Sequence, residues 1–367
     1  MPELYIGIMS GTSLDGIDAV LVDFSPPRPT VISKAHRPFK RGLREQLLQL
    51  TLSHTVELKT LGQLDHQLGL SYADIVNELL TASAVAPSEI TAIGSHGQTI
   101  YHQPDGDYPF SMQIGDANLI AEKTTITTVA DFRRRDMAAG GEGAPLVPAF
   151  HAAIFGDDER DCTVLNIGGI ANLSILPKNS STPVSGFDSG PGNILLDGWI
   201  QLKRGNSYDS AGKWGATGRI IPDLLEQLLN EPYFKAAAPK STGRELFNID
   251  WLQSRLSGGE RDEDVQATLY ELTAISIADA VKQQLTAAKE LIVCGGGVFN
   301  IHLIERISHH LPDCEISSSE RHGLDPQLIE AMAFAWLARE TLSGRAGNIP
   351  EVTGANRPVI LGAIYPA

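Results

Sequence analysis

The residues of this chain best suited to chemistry lie in three glycine-rich turns, GTSLDG at 11–16, NIGG at 166–169 and CGGGVFN at 294–300, each of which follows an apolar run. A chain reversal needs about one glycine to reach positive φ and one polar residue able to imitate it. The first turn exceeds that need: the stretch MSGTSLDGID at 9–18 holds two glycines, three hydroxyl side chains and two aspartates. Bare backbone N–H groups in such turns form concave anion sites, and a following helix N-terminus adds partial positive charge, so polyphosphate is the natural ligand. Any one of the turns reads equally well as ordinary glycine punctuation. Their order, and the repetition described next, argue for a shared purpose.

The elements that must carry these turns repeat along the chain. From Leu4 to Phe39 the pattern is strand, turn, strand, a Pro-rich connection and a third strand near TVISKAH, an antiparallel meander that opens a mixed sheet. Amphipathic helical segments follow in RGLREQLLQLTL and VELKTLGQLDHQLGLSYADIVNELL, then the strands ITAIGSHGQT, FSMQIG and TITTVADF with the short helix DANLIAEKT among them, and a Gly-rich loop, RRRDMAAGGEGAP. The second half reopens in the same way with DCTVLNIGGIANLSIL. It continues through PVSGFDSGPGN, a helix predicted from about Pro191, a long helix near DVQATLYELTAISIADAVKQQL, the strand-turn-helix ELIVCGGGVFNIHLIERISHHL and a closing helix in LIEAMAFAWLARETL. A duplicated meander with interleaved helices predicts an α/β protein of two similar lobes around a central cleft. The first lobe is expected over 1–130, rejoined by about 340–367, and the second over 131–339.

Composition narrows the function classes. With 367 residues, 42% of them hydrophobic, the chain can bury a large core. A net charge of −15, from 29 basic and 44 acidic residues, disfavours nucleic acid as a partner. An acidic protein can still bind ATP through backbone donors and Mg²⁺. No apolar run approaches the ~20 residues needed to cross a bilayer, and no basic region precedes an apolar one at the N-terminus, so no membrane partner is expected. Three cysteines without a CxxC pair suit a reducing, cytoplasmic location. No GxxxxGK[ST] or opening GxGxxG occurs, which disfavours P-loop and Rossmann folds. His151, His309 and His310 lack metal-ligand spacing and HExxH is absent, so no structural metal site is predicted.

On these residues the chain resembles the actin, sugar kinase and Hsp70 superfamily, of ribonuclease H-like lobes, in which two glycine hairpins grip phosphates and a third glycine turn seats adenosine. The resemblance assigns Gly11, Thr12, Ser13, Leu14, Asp15, Gly16, Ile17 and Asp18 to the first hairpin, Asn166, Gly168 and Gly169 to the second, and Gly295, Gly296, Gly297 and Asn300 to the adenosine turn. The aspartate that opens the superfamily's first hairpin is replaced here by Met9 and Ser10, with Asp15 and Asp18 as possible substitutes. A closer resemblance, along essentially the whole chain, is to the anhydro-N-acetylmuramic acid kinases. It rests on MSGTSLDGID, IGSHGQT, VADFRRRDMAAGGEGAPLVPAFH, LNIGGIANLS, GFDSGPGN, PKSTGRE and EAMAFAWLA. It implies a homodimeric, cytoplasmic kinase that uses ATP, Mg²⁺ and water to open the ring of 1,6-anhydro-N-acetylmuramic acid and phosphorylate O6, giving N-acetylmuramic acid 6-phosphate for peptidoglycan recycling.

Opening an anhydro ring is a glycoside cleavage, which ordinarily takes two carboxylates. Here the leaving oxygen is itself the phosphoryl acceptor, so one carboxylate suffices, as base toward water. Asp188 in GFDSGPGN is that base on this reading; on the residues alone a helix N-cap explains it equally well. His96, Gln98 and Thr99 in GSHGQT, Arg134 of the run Arg133–Arg135, and Glu330 are expected to meet the sugar, an arginine fork suiting its lactyl carboxylate. His96 reads as readily as a structural hydrogen-bonder, the arginines as a solvated cluster and Glu330 as a helix-start acid. Lys240 to Gly243 offer a further phosphate or lid contact, and Ala331, Ala333 and Ala335 suggest close helix packing. The rival functions are another sugar kinase of the superfamily, and a non-catalytic protein that binds muropeptides under ATP control.

Overall fold

In the computed structural model, the described residues are 2–11, 14–53, 55–157, 159–178, 182–238, 240–284 and 290–367. Thr12 and Ser13, expected in the first hairpin, lie outside them. The chain divides into two compact units, residues 1–154 with 328–367, and residues 155–327. Expectation placed these divisions at 130 and about 340.

The first unit is built on the predicted meander: β1 (Leu4–Met9), β2 (Gly16–Asp23) and β3 (Thr30–Pro38) are antiparallel, β4 (Ile90–Ser95) lies parallel to β1, and β7 (Thr128–Ala130) parallel to β4. Strands β5 (Gln98–Gln103) and β6 (Phe110–Ile114) form a separate ribbon. β1 is buried almost throughout, which is why LYIGI reads as a continuous apolar run, whereas the edge strand β3 alternates half-buried and exposed residues. The helix Ile329–Leu342 packs on β1 and β4, which draws it into this unit rather than the second. A Cβ on Gly7 would stand 1.8 Å from the Ala331 carbonyl oxygen, and one on Gly94 1.9 Å from that of Phe334. The two glycines, with the small residues of EAMAFA, let helix backbone rest directly on the sheet.

The second unit repeats the pattern with β8 (Cys162–Ile167), β9 (Ile170–Leu176) and β10 (Ser185–Pro191) antiparallel, β11 (Glu290–Cys294) parallel to β8, and β12 (Glu315–Ser318) parallel to β11. Trp199, Phe247, Tyr270 and the buried helix Asp262–Gln284 fill its core. The last strand, β13 (Ala363–Tyr365), returns to pair with β7. Spatial order is therefore 3-2-1-4-7-13 in the six-stranded sheet and 10-9-8-11-12 in the five-stranded one, so the five strands 3-2-1-4-7 of the first match the second and β13 adds an edge. The internal echo in sequence is thus a repeated mixed sheet, the α/β ribonuclease H-like arrangement. One local expectation changes: β10 runs on through Asp188 to Pro191, and the next helix starts at Ile194, not Pro191. A register shift between Asp188 and Gly190, where Gly190 takes φ +150°, keeps the segment extended, so Asp188 is not a helix cap.

Candidate functional site

In the second unit the sheet gathers two glycine turns and the candidate base at one end. Register places Asp188 opposite Asn172, Asn172 opposite Asn166, and Asn166 beside Cys294, so the four form a row across β10, β9, β8 and β11. The NIGG turn closes β8 onto β9, and CGGG continues from β11. The carbonyls of Gly168 and Gly169 accept hydrogen bonds from Asn193 N (2.9 Å), Gly192 N (2.8 Å) and Ile194 N (3.0 Å), which ties the turn to the segment after Asp188. A Cβ on Gly168 or Gly169 would meet nothing closer than 3.6 Å, and one on Gly296 nothing within 4 Å. The backbone there is open to a ligand, as a phosphate or nucleoside cradle requires. Gly295 and Gly297 have a different reason: Cβ atoms there would strike Asn166 Oδ1 at 2.3 Å and Ile167 Cγ2 at 2.2 Å, so these glycines seat the turn on β8. Asn300 is spent in the fold, capping the helix Ile301–His310 through Leu303 N and donating to the Tyr270 hydroxyl at 2.8 Å.

Asp188 is held by the segment that sequence marked as a further phosphate contact. Its N–H donates to the Lys240 carbonyl at 3.0 Å, its Oδ2 accepts from Thr242 N at 3.0 Å, and its carbonyl accepts from the Tyr233 hydroxyl at 2.7 Å. Oδ1 has no hydrogen-bond partner among the described residues. The Lys240 ammonium donates to the carbonyls of Tyr233 and Phe234, so it braces this segment from within. Burial pushes the Asp188 carboxyl up to about 6, with the Thr242 N–H opposing the rise and Glu245 adding to it. A basic carboxylate with one oxygen unengaged can take a proton from water. Tyr233 and Asn172 were not singled out from sequence, whereas Thr242 was, within PKSTGRE, as a phosphate or lid contact rather than as a partner of Asp188.

In the first unit the candidates divide. Leu14 and Ile17 are core residues, each 1% exposed, so only their backbone is available to a ligand. Ser10 is buried, its hydroxyl 2.7 Å from the Tyr72 hydroxyl and 3.3 Å from the Gly97 carbonyl it donates to. Asp15 Oδ1 accepts from Gly16 N, and Asp18 bonds His36 Nδ1 at 2.8 Å on the neighbouring strand. Gln98 is fully buried and donates to the Gly11 carbonyl, while Thr99 accepts from Gln113 across the β5–β6 ribbon. Arg134 is mostly exposed and ion-paired with Asp131, although it lines, with His96, Ser95, Gln113 and Met112, a cavity of about 430 Å³. The arginine that turns inward is Arg133, which donates to His96 and lies near the Glu330 carboxylate. Nothing in RRRD distinguished the three. Among the described residues, no group of three or more His, Cys, Asp or Glu side chains is placed to hold a metal ion, and no helix is long and apolar enough to cross a membrane.

Comparison with known proteins adds three findings. The sequence profile of the anhydro-N-acetylmuramic acid kinase family matches residues 3–367. The anhydro-N-acetylmuramic acid kinases of Pasteurella multocida and Photobacterium profundum are 52% and 50% identical, over 99% of this chain and 96% of the first relative, and 100% of this chain and 99% of the second. Among solved structures, component A of the (R)-2-hydroxyglutaryl-CoA dehydratase of Acidaminococcus fermentans is a distant likeness, 12% identical with a TM-score of 0.48 over 91% of this chain and 96% of that one.

Proposed function

From the premise that the chain belongs to the anhydro-N-acetylmuramic acid kinase family, we propose that it opens 1,6-anhydro-N-acetylmuramic acid with water and phosphorylates O6, with Asp188 as the general base. The observation that carries this reading is the Asp188 carboxylate itself: half-buried, raised in basicity, fixed through Oδ2 and in register with the NIGG and CGGG turns on one sheet. Oδ1 takes the proton from water as the water oxygen bonds to C1. The C1–O6 bond breaks, and O6 forms its new bond to the γ-phosphorus as the bond from that phosphorus to the β-phosphate oxygen breaks and ADP leaves. ATP supplies the phosphoryl group that stands where a glycosidase would place a proton donor. The open backbone at Gly168, Gly169 and Gly296 supports these turns as the triphosphate and adenosine contacts. Gly11, Leu14, Asp15 and Gly16 belong to the other phosphate hairpin on this reading. Asp18 faces His36 and Asp15 caps Gly16, so Mg²⁺ enters this account as the counter-ion of the triphosphate rather than through those carboxylates. Arg134 and Glu330 remain the sugar-side candidates, whereas the His96 ring is buried with its Nε2 taken by Arg133 and is not proposed to touch the sugar. A homodimer in the cytoplasm, recycling cell-wall sugar, completes the proposal.

The base assignment has a pH signature. Only the carboxylate form of Asp188 accepts a proton, so kcat/KM is expected to fall as pH drops through about 6, above the range of an ordinary aspartate. An acid limb that sits near pH 4 in a steady-state profile with saturating ATP would remove Asp188 from the role.

A further inference from the structure

We propose that Arg133 is a positioning residue for the first glycine turn: acting through His96, it decides which imidazole nitrogen carries the proton, so that an N–H rather than a lone pair faces the backbone of the turn. This rests on the reading of residues 11–16 as a phosphate hairpin. The Nε and Nη2 of Arg133 lie 3.1 and 2.8 Å from His96 Nε2. A guanidinium has donors only, so Nε2 must accept and the neutral ring must hold its proton on Nδ1. The ring has little freedom to do otherwise. It is 5% exposed, packs against Phe334 with ring centroids 4.6 Å apart, and its pKa is driven well below the usual value by burial and by the Arg133 charge.

The backbone acceptors that face this ring belong to Ser10 and Gly97. With the other tautomer a lone pair would confront those carbonyls. The same short segment grips the entry of the turn at further points: His96 N donates to the Ile8 carbonyl at 3.1 Å, Ser10 Oγ to the Gly97 carbonyl, and Gln98 Nε2 to the Gly11 carbonyl at 3.3 Å. Nδ1 is buried and closes no hydrogen bond among the described residues. Arg133 is itself anchored, with Nη1 donating to the Gly143 carbonyl at 2.8 Å and the Glu330 and Asp136 carboxylates sustaining its charge against burial.

The test uses the full chain in three forms, Arg133→Met, His96→Gln and the double variant, together with ¹⁵N NMR of the His96 ring in the wild type. The wild-type ring is expected as the Nδ1–H tautomer with no titration between about pH 5 and 8. Each single substitution is expected to raise KM for ATP about tenfold through misplacement of the turn, with KM for the sugar nearly unchanged. The double variant should be no worse than either single one, because both cut the same connection. A wild-type Nε2–H or titrating ring overturns the proposal even where a variant fails to fold. Multiplying effects in the double variant, or equal rises in both KM values, overturn it as well. Absence of ATP-dependent turnover in the wild type would instead strike the functional reading and leave the tautomer result standing.

Discussion

Asp188→Asn is expected to lower kcat by about three orders of magnitude while the protein stays folded and binds ATP as before. The asparagine is nearly isosteric and its Oδ1 can accept from Thr242 N, so the local geometry survives. It cannot take a proton from water. Stability should hold or rise, and the sign follows from linkage: the folded carboxyl has its pKa raised to about 6, so ionising it in the folded state at neutral pH works against folding, and that cost appears as pH climbs from the unfolded value near 4 through 6. A neutral side chain lifts it. Rapid-quench kinetics, ATP titration and thermal melts separate the three quantities. Near wild-type kcat with an intact fold would contradict the base assignment, and a lowered melting temperature would contradict the electrostatic account.

Asp136→Ala is expected to cost about 3–5 kcal/mol in the first unit, the largest effect on stability among the residues discussed. The carboxylate is fully buried and accepts from Asn348 Nδ2 (2.6 Å), Thr353 Oγ1 (2.7 Å) and Gly143 N (2.8 Å). It therefore joins the Gly-rich loop after Arg133–Arg135 to the segment 348–359, where Asn348 in turn accepts from Val359 N and Asn356 N donates to the Ala139 carbonyl. A Cβ on Gly141 would stand 2.2 Å from Asp136 Oδ2, which accounts for part of the glycine content of that loop. Alanine leaves three buried donors unpaired at about 1–3 kcal/mol each before relaxation. Because a chain of two units need not unfold in one step, hydrogen exchange read separately at 139–143 and 348–359 is the suitable probe. Loss of under about 1 kcal/mol of protection there would contradict the hub.

What the sequence disclosed and what it concealed have physical causes. The meanders, the long helices and the glycine turns were legible because a two-sided buried strand or a one-sided buried helix imposes a period on its own residues, as β1 and Leu58–Ser83 do. The setting of Asp188 was not legible: the expected helix start at Pro191 is strand, since a bulge at Gly190 costs nothing visible in composition. Arg133, Arg134 and Arg135 are chemically identical, and which one turns inward is decided by His96, Gly143 and Glu330, partners remote in sequence. Asn300 looked like a ligand contact and proved to be a helix cap, because both uses call for the same side chain at the same turn. The unit boundaries moved for a similar reason, as helix Ile329–Leu342 docks on Gly7 and Gly94, a contact that only the folded sheet reveals.

The most direct measurement on the central claim is isotopic. The protein is incubated with Mg-ATP and 1,6-anhydro-N-acetylmuramic acid in ¹⁸O-water, and the product is read by mass spectrometry. A 6-phosphorylated sugar carrying one ¹⁸O at the anomeric hydroxyl is the predicted result. A phosphorylated product without the label, or no ATP-dependent product at all, would contradict ring opening by water coupled to phosphoryl transfer at O6.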